Sequence, residues 1–360
     1  MSCAAAQWFL GSASSTGYLS GFGELASSGE YHCTIIKGAP GRSTGTLLRE
    51  VARRFEDTEE RMEEFRCSLE PEQLDAVVLH GARTVLVDGS PPHAFEPLFP
   101  GAVHSVISME DCWDIPRLLA TKKEILIGYQ ESSRAQERAR RFLSAFASLN
   151  ADTCTLALEG LNRRKLSAFA TRFCHRLSPR RGNEPGSVTR RQLSAVTPLG
   201  YETILEALEP YENVYILSDA VFAGADALLT ELTACAVQRG LDVIVSENPL
   251  FQGKMQEHLL LPQIGTALLT SNPINRVSLE RARTINCGRF FEKTVLARRK
   301  QRIAFNKKAG MELFSEAALS FRHAAEARSA LGRRYDAATD SMKLQAKADA
   351  LCATIRSRMK

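Results

Sequence analysis

The sequence predicts an α/β chain of two tandem parallel-sheet units, each with an appended helical subdomain. Three observations carry that expectation. The chain has 360 residues, enough for two domains of ordinary size. Short β-branched runs alternate with helix-forming segments, the order expected of sheets covered by helices. The chain also repeats itself at an offset of about 180 residues.

The repeat is visible at four separate places. The run from Thr34 to Gly38, followed by a small-residue loop and the helix-like Leu47-Leu48-Arg49-Glu50-Val51-Ala52, matches Val214 to Asp219, another loop, and Ala227-Leu228-Leu229-Thr230-Glu231-Leu232. Thr84-Val85-Leu86-Val87-Asp88-Gly89-Ser90-Pro91 matches Thr266-Ala267-Leu268-Leu269-Thr270-Ser271-Asn272-Pro273. Thr16-Gly17-Tyr18 matches Leu199-Gly200-Tyr201, and Lys165-Leu166-Ser167-Ala168 with Cys174 matches Lys343-Leu344-Gln345-Ala346 with Cys352. The units then span residues 1–182 and 190–360. The joint at 178–187 is rich in proline, glycine and charge and reads as an exposed linker.

In chain order, residues 33–36 read as a buried strand closed by Gly38. Residues 46–64 read as a helix, with Leu47, Leu48, Val51 and Phe55 at helical spacing. Val77-Val78-Leu79 and Val85-Leu86-Val87 read as further strands, as does 241–245 in the second unit. The outline is a doubly wound sheet. Residues 116–177 and 278–360 are the helical subdomains. Phe314, Ala317, Ala318 and Phe321 give the second one an amphipathic helix and suggest a long arm near the C-terminus.

The loop after the first strand has the form of a phosphate cradle. Such a loop uses glycines to curl backbone N–H groups around an anion and aims a helix N-terminus at it. It adds a lysine for the β and γ phosphates and a Ser/Thr hydroxyl for Mg²⁺. In Gly38-Ala39-Pro40-Gly41-Arg42-Ser43-Thr44-Gly45-Thr46, Gly38 and Gly41 stand at glycine positions and Ser43 replaces the third glycine. Thr44 stands for the lysine, Gly45 for the Ser/Thr, and Thr46 follows. The cradle survives while the two side chains that do the chemistry are gone.

Lys37, Gly38, Gly41, Ser43, Thr44, Gly45 and Thr46 are the expected nucleotide contacts. Asp88, the acid ending the strand 85–87, is the expected Mg²⁺ partner through water. Losing the lysine costs ~10²–10³ in rate or more, so weak or no hydrolysis is expected. His93, just beyond Asp88, reads either as a γ-phosphate contact or as a turn residue. In the second unit Ala225 stands for the lysine, Asp226 for the Ser/Thr and Thr270 for Asp88. Asp219 and Asp226 put carboxylates where a polyphosphate would lie, and Phe222 fills the space, so a plain strand-to-helix turn is expected there. The two readings are a degenerate P-loop NTPase-fold protein binding ATP through unit one, and a nucleotide-free pseudo-NTPase acting as a scaffold or regulatory partner.

The chain resembles a family of uncharacterised bacterial ATPases with two tandem P-loop domains. The likeness spans nearly the whole chain. It rests on Ile35-Ile36-Lys37-Gly38-Ala39-Pro40-Gly41, on Val87-Asp88-Gly89-Ser90-Pro91-Pro92-His93, and on Phe99-Pro100-Gly101-Ala102-Val103 followed by Asp111-Cys112-Trp113-Asp114. The second segment is similar to the family's Val-Asp-Gly-Thr-x-Pro-His stretch. The resemblance implies a P-loop fold with ATP as ligand and Mg²⁺ as ion. The chain departs from the pattern at Thr44, Gly45 and throughout the second loop.

Composition bounds the remaining classes. A net charge of +5 is compatible with an anionic ligand and too small to point to nucleic acid. Nine cysteines without a Cys-x-x-Cys pair argue against a disulfide framework and against zinc; haem and flavin are not expected either. The N-terminus lacks a basic leader, no run approaches the ~20 apolar residues of a membrane span, and a cytoplasmic protein is expected. Residues 281–308 carry a basic run, Arg281 to Lys308, interleaved with Phe290, Phe291 and Phe305. It reads as a solvated helical face or a contact for an acidic partner, with nucleic acid not expected. No Ser-His-Asp elbow, His-Glu-x-x-His spacing or Gly-x-Gly-x-x-Gly after a strand is present, so hydrolase, metalloenzyme and dehydrogenase readings gain no support.

Overall fold

A computed structural model describes residues 5–26, 29–56, 61–177, 184–251 and 255–359. The first half runs β1 (Ala6–Phe9), β2 (Gly11–Ser14), β3 (Gly17–Ser20), α1 (Phe22–Ala26), β4 (His32–Lys37), α2 (Ser43–Phe55), β5 (Met62–Arg66), β6 (Leu74–Leu79), β7 (Thr84–Asp88), β8 (His104–Ser108), α3 (Ile115–Ala120), α4 (Lys122–Leu158) and α5 (Arg163–Leu177). The second runs β9 (Val188–Arg190), β10 (Ser194–Thr197), β11 (Gly200–Thr203), β12 (Asn213–Ser218), α6 (Gly224–Gln238), β13 (Val243–Glu247), β14 (Gln256–Leu261), β15 (Thr266–Ser271), β16 (Arg283–Asn286), α7 (Lys293–Ala338) and α8 (Ser341–Arg358). Most of the joint expected at 178–187 lies outside the described residues. Among the described residues, no helix is long and apolar enough to cross a membrane.

The repeat extends to individual strand registers. The sheets have orders β1-β5-β6-β7-β4-β8 and β9-β13-β14-β15-β12-β16. Ala76 pairs with Val87 in the first, and in the second the equivalent positions, His258 and Leu269, pair in the same way. The same irregularity falls between Phe65 and Arg66 and between Ser246 and Glu247. Both sheets are mixed, not parallel: β6 and β14 run antiparallel to both neighbours.

Residues 62–64, expected within the loop helix, belong instead to a strand. Met62 and Phe65 are buried in β5, which pairs with β1 and β6. Its Glu and Arg are good helix formers, and pairing on both edges overrides that preference.

Alternation along the strands decides the layering. Ile35, Val85, Val87 and Val78 share a core with Val214, Ile216, Ala267 and Leu269, so the two sheets stack face to face. Ile36, Leu86 and Val77 point the other way, onto α2. Leu217, Leu259 and Leu268 do the same onto α6. Each sheet is therefore covered by its main helices on one face only, the short α1 adding Phe22, Leu25 and Ala26 to the core between the sheets. The doubly wound outline is corrected to a helix–sheet–sheet–helix stack.

The helices are exchanged between the halves. Leu166, Ala170, Phe173 and Cys174 of α5 enter the core of the second sheet. On α8, Ala348, Leu351 and Cys352, the counterparts of Ala170, Phe173 and Cys174, enter the core of the first together with Ile355. The subdomain that follows each sheet in sequence thus supplies a covering helix to the other sheet. The crossing is made by α4 and α7, which lie antiparallel, with Gly128 facing Leu331, Ser132 bonded to Ala324, Phe146 against Phe314 and Asp152 bonded to Arg302. At 37 and 46 residues these helices are about 55 and 70 Å long, enough to span the stack.

Backbone bonds lock each crossing. Asp114 N donates to Ala338 O and Asp340 N to Cys112 O, both at 2.8 Å. Their counterparts at the repeat-related crossing are Glu292 N to Gly160 O (2.7 Å) and Asn162 N to Phe290 O (2.8 Å).

If α5 covers the second sheet, Leu166→Ala should cost about 2–5 kcal/mol. Hydrogen exchange should then accelerate in β12–β15 ahead of β4–β7. Acceleration confined to β4–β7 would place α5 on the wrong sheet.

Candidate functional site

The first loop sits where β4 feeds α2, at the edge shared with β7, whose Ile36↔Asp88 register puts the acid beside the strand end. Gly38 N donates to Ser90 Oγ at 2.8 Å, and Ser90 N donates to Asp88 Oδ1 at 2.8 Å. Asp88 is thereby tied to the loop floor. Burial raises its pKa, opposed by the hydrogen bonds from Ser90.

The cradle is occupied by the protein itself. Arg42 N donates to Asp336 Oδ1 at 2.7 Å, a contact between residues from opposite ends of the chain. Asp336 stands near the end of α7, which docks where neither partner has a side chain. A Cβ on Gly41 would lie 3.1 Å from Gly332 O, and one on Gly332 would lie 2.8 Å from Gly41 Cα. Gly41 also has φ +128, which L side chains rarely adopt. A carboxylate thus accepts a loop N–H at the positive end of a helix, where an anion is favoured.

Three polar atoms around this loop are buried without a partner: Ser43 Oγ, Thr44 Oγ1 and Gln73 Oε1. A Cβ on Gly38 would collide with Thr44 Oγ1, so that hydroxyl faces the curl of the loop. A Cβ on Gly45 would collide with Gln73 Oε1. Buried hydroxyls without partners are uncommon because each forfeits ~1–3 kcal/mol of hydration.

Other expected residues behave differently. The Lys37 ammonium is committed to Phe95 O (2.6 Å), Glu96 Oε1 (2.9 Å) and Gly89 O (3.3 Å), all in the segment after β7. The ammonium is thus engaged by that segment and not by the loop. Thr46 N is held by Arg42 O at 2.7 Å as an ordinary helical bond, and the residue is exposed.

A cation does arrive from elsewhere. Arg328 of α7 reaches Glu70 Oε1 and Pro91 O, both at 3.1 Å. Its burial opposes its charge, and Cys67, Glu70, Asp88 and Asp75 favour it. Neither Asp336 nor Arg328 was legible as a loop residue, since both lie far from the motif in sequence. His93 is buried, its Nε2 2.7 Å from Asp75 Oδ2.

The second loop fills its cradle from within. Asp219 Oδ1 accepts from Val221 N (3.0 Å) and Oδ2 from Ala225 N (2.8 Å). Burial raises its pKa, while the N–H groups of Ala225, Val221, Gly224 and Phe222 pull it down. Phe222 fills the core between α4 and the loop, as expected of a plain turn. Cys154 of α4 contacts Val221 O and Phe222 O, so the exchanged helix meets this loop as Gly332 meets the first.

The basic run on α7 is divided. Arg299 and Arg302 pair with Glu159 and Asp152 of α4. Arg298, Lys300, Lys307 and Lys308 are exposed, as is Phe305 at 66%. Eight of the nine cysteines are free thiols, the ninth, Cys3, lying outside the described residues. Among the described residues no group of three or more His, Cys, Asp or Glu is placed to hold a metal ion. Comparison with protein-family models, curated proteins and solved structures found no match.

Two consequences can be measured. Gly332→Ala gains helix propensity but drives a Cβ into the Gly41 backbone, so a net loss of about 1–2 kcal/mol is expected; a raised Tm would mean that α7 does not dock tightly on the loop. Glu257, bonded to Tyr201 (2.6 Å), Asn248 and Asn275 (both 3.2 Å), is pushed by burial up to about 7. Its neighbour His258 is lowered to about 3 by burial and stays neutral above that. A carboxyl with a raised folded-state pKa gives stability below its unfolded value that is lost as pH rises through the folded one. Relative to Glu257→Gln, the wild type should lose roughly 3 kcal/mol between its ordinary pKa and about 7. Parallel stability–pH curves for the two proteins would contradict this.

Proposed function

We propose that this chain is a P-loop-like pseudo-NTPase that holds no nucleotide in its resting state and serves as a scaffold or regulatory module. One observation carries the reading: in both loops a carboxylate of the chain accepts the backbone N–H groups that would otherwise bind phosphate, Asp336 in the first and Asp219 in the second. Thr44 and Ala225 in place of lysine are in keeping with it. The α4–α7 arm, with exposed Arg298, Lys300, Lys307, Lys308 and Phe305, is the surface we assign to a protein partner of acidic character.

A second reading is favoured by the buried, unpartnered Ser43 Oγ and Thr44 Oγ1. In it, ATP with Mg²⁺ enters unit one when Asp336 withdraws. The hydroxyls and the freed loop N–H then meet phosphate, with Asp88 near the ion. Hydrolysis stays weak because no lysine reaches the γ-phosphate. The chain would then be a degenerate, conditional nucleotide-binding protein of the ATPase kind that its motifs resemble.

Calorimetry with ATP and Mg²⁺ on wild type, Asp336→Ala and Asp336→Ala/Gly41→Asp separates the two. The scaffold reading expects no heat from any of them at millimolar ATP. Micromolar binding that appears in Asp336→Ala and disappears in the double variant would establish the conditional site. Micromolar binding to the wild type would overturn the view that the carboxylate closes the loop.

A further inference from the structure

A hydroxyl, an imidazole and a carboxylate are lined up at the end of β3. Ser20 Oγ lies 3.1 Å from His93 Nδ1, and His93 Nε2 lies 2.7 Å from Asp75 Oδ2. His93 and Asp75 are 6% and 5% exposed, while Ser20 is exposed. Phe22 N donates to Ser20 Oγ at 3.3 Å and fixes the hydroxyl's orientation. Ser20 opens into a cleft of about 260 Å³ between the two halves, walled by Leu10, Leu19, Leu25 and Phe65 from one and Gln192 and Pro249 from the other.

We propose that Ser20, His93 and Asp75 form a nucleophilic triad that hydrolyses short-chain, uncharged carboxylic esters in this cleft.

The second half supplies an internal control. Thr203 Oγ1 lies 3.1 Å from Asn275 Oδ1, and Asn275 Nδ2 donates to Glu257 Oε1 at 3.2 Å. Asn275 and Glu257 stand where the repeat places His93 and Asp75, and Thr203 ends β11 as Ser20 ends β3. A hydroxyl–amide–carboxylate chain is therefore enough to fasten the β10–β11 hairpin to its sheet. An imidazole is not needed for that task. What the first half adds is a proton acceptor and a serine that faces solvent, which are the two parts a triad requires.

The chemistry balances without any further reactant but water. Ser20 Oγ bonds to the acyl carbon as its proton passes to His93 Nδ1, and the Nε2–H proton stays on the ring, hydrogen-bonded to the Asp75 carboxylate that stabilises the imidazolium. The carbonyl re-forms, the C–O bond to the alcohol breaks, and that proton leaves on the alkoxide. Water then attacks the acyl-serine by the same route, releasing the acid and restoring Ser20. The cleft wall sets the substrate class. Its aliphatic and aromatic side chains suit a short acyl group, and its arginines are already paired, Arg191 with Glu63 and Arg190 with Glu247. No uncommitted cation among the described residues of the wall would select an anionic acyl chain.

The test uses the full chain with phenylmethylsulfonyl fluoride and p-nitrophenyl butyrate. Peptide mapping should find one sulfonyl adduct, on Ser20. Ser20→Ala and His93→Asn should lower hydrolysis at least about 100-fold. His93→Asn installs the amide that the second half already uses, so its Tm and circular dichroism should stay native. Absence of an adduct on Ser20, or wild-type turnover by a folded His93→Asn, would overturn the proposal. Neither ATP nor Asp336 enters this assay, so its outcome is independent of the function proposed above.

Discussion

Each sheet presents one face that its main covering helices leave bare, and burying that face is the constraint on which the rest of the molecule depends. Val85, Val87 and Ile35 on one side and Val214, Ile216 and Leu269 on the other would be in water if the halves separated. At roughly 1.5–3 kcal/mol for each fully buried aliphatic side chain, no arrangement of the isolated sheets competes with stacking them. Stacking in turn fixes where the outer faces lie. It also fixes how far a covering helix must travel, and so the length of α4 and α7.

The loops follow from that geometry. A strand-to-helix turn leaves several backbone N–H groups without helical partners, and buried N–H groups need acceptors. A nucleotide phosphate is one such acceptor and a carboxylate is another. The two halves reach the carboxylate by different routes. Asp219 folds back within its own loop, whereas Asp336 is delivered by the helix that crosses over from the other half. The position on α4 equivalent to Asp336 is Leu158, which is why α4 brings no acid to the second loop. Contact between helix end and loop is shared by both halves; the chemistry at the contact is not.

Much of this was legible in the sequence, and the limits are instructive. The repeat, the strands β4, β7 and β15, and the amphipathic face of α7 could be read because each is written in local periodicity. The antiparallel β6 and β14 could not, because apolar runs carry no direction. The strand β5 was hidden by its Glu and Arg residues, which score as helical until its two edges are paired. The exchange of α5 and α8 left no trace, since an apolar stripe does not name the sheet it will meet. Asp336, Arg328 and the Ser20–His93–Asp75 line are all tertiary: no spacing rule joins residues that far apart, and the absence of a known nucleophile motif said nothing about a triad assembled from a hairpin, a strand and a turn.

The exchanged helices also bear on how such a chain could arise. A single copy of the repeat would have a sheet with a bare face and a helix reaching past it toward nothing. Two separate copies, each lending its last helix to the other, would satisfy the contacts that the two halves share. The covalent chain thus has the arrangement that two like units exchanging their covering helices would have. Within one chain the two loops need not be identical, and they differ in where the carboxylate comes from, Asp219 in its own loop and Asp336 on the crossing helix.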